Sequence, residues 1–175
     1  FWWVWMVAFF PGLMIFAYHY INAKLWERTF LPNSKGKTTS AYINAYIAAS
    51  VLLIKIDRRD ADRKKAVLHK KMLELGKNPE LHWETFDKIW KNEISERRIA
   101  NWCKRNLNES ERSDLVYLLA ELAMLDGSLL AREYNFLSNL MKLLDLPVKE
   151  LRGILAAHKQ RMAREEAKRH QYQRK

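Results

Sequence analysis

Cysteine occurs once in the 175 residues, at Cys103, which excludes an intrachain disulfide and a four-cysteine zinc site. Set in IANWCKRNL, it reads as a small core residue of a protein in a reducing compartment. No HExxH, no paired histidine spacing, no glycine-rich phosphate loop and no GxSxG occurs, and the five histidines are scattered. An enzyme is not expected. Glycine (five) and proline (four) are scarce, and no stretch alternates apolar and polar residues as a half-buried strand would. The expected fold is all-α: an N-terminal transmembrane helix followed by a multi-helix bundle.

The last absence is of charge. Phe1 to Ala23 contains no Asp, Glu, Lys or Arg, although the whole chain carries a net charge of +11 and a negative mean hydropathy of −0.39. About 20 apolar residues cross a hydrocarbon core of about 30 Å, so residues 1–23 are predicted to be one membrane span. Trp2, Trp3 and Trp5 at one end, with Tyr18 and Tyr20 at the other, form the aromatic belt expected at the two interfaces. Pro11 with Gly12 predicts a kink at mid-span. An interfacial helix, or a segment buried in a larger assembly, is the competing reading. A secretory signal fits poorly, lacking a basic start and a small-residue cleavage site. The opening on Phe1 predicts further sequence upstream.

Lys24, Arg28, Lys35 and Lys37 follow the span, and positive charge predicts the cytoplasmic side for all that comes after. Trp26 belongs at the headgroups. Residues 24–40 form a short linker, ending in the Pro, Gly and small polar residues of LPNSKGKTTS.

Residues 41–160 are predicted to form the helical domain. Ala41 to Ile56 is apolar on most of its surface, which marks a central core helix rather than a surface one; Thr38, Thr39 or Ser40 would cap it. Further helices are expected over Arg63–Leu75, Leu81–Trp90, Ile94–Leu107 and Glu111–Leu125, the last capped by Asn108 to Glu111. Asp126-Gly127 forms a turn, a helix carries Phe136, Leu137, Leu140, Met141 and Leu144, and Pro147 opens the next helix, to about Gln160. The tail, residues 161–175, has six Lys or Arg against two Glu. It reads as a helix extension or a disordered basic end. Arg161, Arg164, Lys168 and Arg169 are the candidates there for lipid or partner contact. Basic residues near a membrane point to anionic headgroups rather than to nucleic acid.

An offset of 69 residues aligns Asp57 with Asp126, Leu68 with Leu137, Met72 with Met141 and Leu75 with Leu144. Each half is then helix, acidic turn, helix. In DGSLLARE, Asp126 and Glu133 are the candidate metal ligands, for a weak divalent cation at most and no other cofactor. A calcium loop is excluded, because Leu122 and Met124 stand where oxygen ligands are required. The plain alternative is a turn-forming Asp126 and a Glu133 facing a helix N-terminus.

With DGSLLARE followed by Phe136-Leu137 and Leu144-Asp145-Leu146-Pro147, residues 41–159 resemble the TerB-like helical domain of tellurite-resistance proteins, and with the preceding span the membrane-anchored DjlA-type co-chaperones. The first half departs from the pattern: Arg58 replaces the glycine and Lys64 the glutamate. The J domain of those co-chaperones is missing, since no His-Pro-Asp occurs; it would lie beyond Lys175, or the protein is an anchored module without it. The resemblance implies a bacterial inner-membrane protein. The functional expectation is an anchored cytoplasmic interaction or scaffold module, an accessory subunit of a larger membrane complex, whose partners are lipid and other subunits. The alternatives are a DjlA-like regulator of a cytoplasmic chaperone and a divalent-ion or stress sensor. Oligomeric state is not legible.

Overall fold

The computed structural model describes residues 11–22, 24–25, 38–58, 60–75 and 79–173, and among these there are only helices and their connections. A first helix, α1, covers residues 11–22. The domain follows as α2 (Thr38–Ile56), α3 (Ala61–Leu75), α4 (Pro79–Lys91), α5 (Glu96–Asn106), α6 (Glu109–Ala123) and α7 (Ala131–Leu143). A 3-10 turn at Val148–Glu150 then leads into the long α8 (Leu151–Gln173).

α2 is the axis of the bundle. It packs against α3, α4, α5, α6 and α7, and Ala45, Ile47, Ala48, Ala49, Val51, Leu53 and Ile54 are fully buried. A helix that is apolar all round must be surrounded, and its alanines let the neighbours approach closely. The helix starts three residues earlier than predicted; the side chains at 38–40, where its cap was expected, lie outside the described residues.

Local chemistry sets the remaining boundaries. Ser95 caps α5, accepting the Arg98 N–H at 3.3 Å. Asn108 caps α6 in a reciprocal box: its Oδ1 accepts the Glu111 N–H at 2.9 Å, and its own N–H donates to Glu111 Oε2 at 2.8 Å. The box sits at Asn108, so α6 spans Glu109–Ala123 rather than the expected Glu111–Leu125. Gly127, at φ +80°, supplies the left-handed turn expected of it. α4 begins on Pro79, the first helical position, where its missing N–H costs nothing.

The end of α7 differs from the sequence reading. Pro147 does not simply start the next helix; it precedes the 3-10 turn, while Asp145 takes the left-handed conformation at φ 58°. The Leu146 N–H donates to the Met141 carbonyl at 2.9 Å and the Asp145 N–H to Lys142 at 3.3 Å, a Schellman ending with aspartate where glycine is usual. The tail resolves as a helix extension. α8 runs unbroken across the domain boundary expected at residue 160 and reaches Gln173.

The internal echo extends into three dimensions. α2, α3 and α4 correspond in order to α6, α7 and α8. The packing pairs repeat as well: α2 with α3 and α6 with α7, α2 with α4 and α6 with α8. Across the halves, α2 meets α6 and α7, and α3 meets α6. α5 has no counterpart.

Among the described residues no helix is long and apolar enough to cross a membrane, so the transmembrane helix predicted over residues 1–23 finds no support there. Its first ten residues, including Trp2, Trp3 and Trp5, lie outside the described residues, as does Trp26. The described part covers twelve residues, about 18 Å of helix at 1.5 Å per residue. That is too short to span a bilayer alone.

Candidate functional site

The clearest concentration of buried charge lies where the two halves meet. Asp57 stands directly after the end of α2, and Lys64 is on the first turn of α3. Its ammonium donates to Glu133 Oε1 at 2.6 Å and lies 3.5 Å from Asp57 Oδ2. The Lys64 and Glu133 side chains are 3% and 1% exposed. Glu133 Oε2 accepts the Leu130 N–H at 3.1 Å, a free donor at the start of α7. That is the helix N-terminus expected for Glu133, with a buried cation added. Lys64 and Glu133 are 69 residues apart, so they are equivalent positions of the two halves in direct contact.

Asp126 stays at the surface. Its carboxylate accepts the Ser128 N–H and hydroxyl, both at 3.0 Å, which makes it the turn-former of the α6–α7 connection. Slight burial alone would raise its pKa; the Ser128 hydrogen bonds and the Lys64 charge outweigh this and hold it below the usual carboxylate value. The structure therefore gives Asp126 to the turn and Glu133 to the Lys64 ammonium, with no shared ligand position between them. Glu133 has both oxygens engaged, and among the described residues no three His, Cys, Asp or Glu side chains are grouped to hold a metal ion. The pair as folded does not fit a divalent cation.

Asp126 also borders a cleft of about 290 Å³ between α6, α8 and the start of α3, lined by Arg63, Glu121, His158, Arg161 and Arg169 among others. Arg161 donates to Glu121 at 2.6 Å and lies 3.9 Å from Glu165, so its charge is answered inside the protein. Arg164, Lys168 and Arg169 are exposed on the distal part of α8. His158, nearly fully buried, donates from Nε2 to the Tyr117 carbonyl at 3.1 Å, its ring 4.2 Å from that of Tyr117. No family model, no curated protein and no solved structure matches this chain. Its function must be read from its own geometry.

The second unusual feature is α1. Leu13, Met14, Ile15, Phe16, Tyr18, Tyr20 and Ile21 are each more than half exposed, and every residue from 11 to 22 except Ala17 is open to its surroundings. Lys24 lies over the Tyr20 ring at 5.0 Å, a cation–π pair at the helix end. Sequence reasoning found Asp57, Asp126 and Glu133 but missed Lys64 as their partner, along with Glu121 and His158. The available signal was the offset that aligns residue 64 with residue 133.

Proposed function

We propose that this protein is a membrane-attached helical interaction module, with α1 as the attachment and the α2–α8 bundle as a scaffold on the cytoplasmic face. The observation that carries the reading is an apolar, charge-free helix that the folded core leaves uncovered. The bundle buries its own apolar residues without help from α1, so a stretch of exposed Leu, Met, Ile and Phe needs an outside cover. Lipid is the cover favoured by the charge-free run from Phe1 to Ala23, by Tyr18 and Tyr20 at its end, and by Lys24 over Tyr20. The basic residues that follow favour the cytoplasmic orientation.

Flotation of the full chain with phosphatidylcholine–phosphatidylglycerol vesicles tests this. The wild type is expected to float and to resist high-salt stripping, while a Leu13→Lys/Phe16→Glu variant stays in the dense fraction. A wild-type chain that remains soluble, monomeric and unbound would overturn the reading. Recovery of a stoichiometric membrane complex in mild detergent would add the accessory-subunit role. The ion-sensor reading gains no support, because Lys64 occupies Glu133.

A further inference from the structure

Residues 57 and 126 occupy equivalent turns, and residues 64 and 133 equivalent places on the helices that follow. The packing of the two halves brings the second pair into contact, where α3 meets α6 and α2 meets α7. A strictly repeated sequence would put like beside like there. Two glutamates in contact and almost wholly buried cannot both stay ionised without a shared proton or a bound cation. Two lysines would repel. This chain has one of each.

We infer that Lys64 is the resident cation of this junction: its ammonium takes the place between Asp57 and Glu133 that a shared proton or a bound cation would otherwise have to fill, so the two halves are joined without one. The geometry supports each part. Lys64 Nζ is in contact with one carboxylate and within ion-pair distance of another, from inside the protein. An ammonium carries three donors and no fixed coordination geometry, which suits carboxylates arriving from a helix and from a turn. The cluster still holds more negative than positive charge, so losing Lys64 would leave an uncompensated acidic centre rather than a neutral one. The inference concerns the join between the halves and is independent of what α1 binds.

Thermal unfolding of the full chain in detergent, in EDTA and in millimolar calcium chloride, is the test. The wild type is expected to melt at one temperature in both. Lys64→Glu places carboxylates at both equivalent positions; it is expected to melt well below wild type in EDTA and to gain about 5 °C or more with calcium, as a ligand bound only by the folded state requires. Because that variant can fail to fold, the swap Lys64→Glu/Glu133→Lys supplies the deciding comparison. Returning an ammonium from the other half should recover more than half of the loss and abolish the calcium response. A wild-type melting temperature that moves by more than about 2 °C between EDTA and calcium would overturn the inference. So would a swap variant no more stable in EDTA than a Lys64→Met variant, which lacks the ammonium altogether.

Discussion

Glu133 divides its carboxylate between two partners from different parts of the chain: Oε1 takes the Lys64 ammonium at 2.6 Å and Oε2 the Leu130 N–H at 3.1 Å. One side chain thus closes the start of α7 and ties it to α3. Because the group is buried and ionically paired, removing one partner strands the other.

Glu133→Ala is therefore expected to destabilise the protein by about 3–5 kcal/mol, with Glu133→Gln intermediate because its amide oxygen still accepts a hydrogen bond. Urea unfolding followed by far-ultraviolet circular dichroism measures both. Equal midpoints for wild type and Glu133→Ala would show that the contact contributes nothing.

His158 supplies a pH dependence. Burial lowers its pKa below the ordinary 6.5, an effect reinforced by nearby Arg161 and only partly opposed by the Tyr117 carbonyl and Glu121. The unfolded chain therefore binds a proton that the folded chain resists. The stabilisation is complete above pH 6.5 and is lost as pH falls through the lowered folded pKa. His82, also buried and lowered, acts in the same direction. His158→Gln should shallow the fall in unfolding free energy between pH 7 and 5, leaving the share due to His82. Parallel curves for wild type and variant would remove His158 from this role.

Asp145 tests backbone strain at the end of α7. At φ 58° it holds a conformation that costs a β-branched residue dearly and aspartate less, while its carboxylate pairs with Lys104 at 2.5 Å. Asp145→Val is expected to cost about 1–2 kcal/mol. Asp145→Gly should stay within about 0.5 kcal/mol of wild type, since relief of strain is offset by greater freedom of the unfolded chain and loss of an exposed ion pair. Chemical denaturation of both variants decides; a harmless valine would mean that the left-handed turn is not held in solution.

Cys103 should be chemically silent. It is fully buried, and burial pushes its thiol up to about 12, with Arg112 and a backbone hydrogen bond opposing only weakly. Ellman's reagent should label it only as fast as the protein opens, and promptly in guanidinium. Rapid labelling of the folded chain would contradict its place in the core.

Much of this architecture is decided locally. Asn108 and Glu111 cap α6 because their side chains reach free backbone donors one turn away, and Gly127 turns the chain because it lacks a Cβ. The apolar surface of Ala41–Ile56 required a surrounded helix, and α2 is surrounded. Asp145 was harder to read, since aspartate in a left-handed turn leaves no mark as plain as glycine. The path of the tail was undecided because the composition of residues 161–175 suits helix and coil alike; Arg161 binding Glu121 on α6 ties the start of that segment to the bundle.

By itself, the sequence determined the helical class, the Asn108 cap and the Gly127 turn, the central helix and the charge-free N-terminal run. Each of these depends on interactions within a few residues or on composition. Only the tertiary structure decided that Lys64 meets Glu133, that Asp126 stays at the surface and that His158 is sealed against Tyr117. An alignment at a fixed offset says which positions correspond, but contact between them depends on how the two halves are packed against each other. That is set by how α2 and α6 pack, a property of whole helix faces that no short stretch of sequence contains.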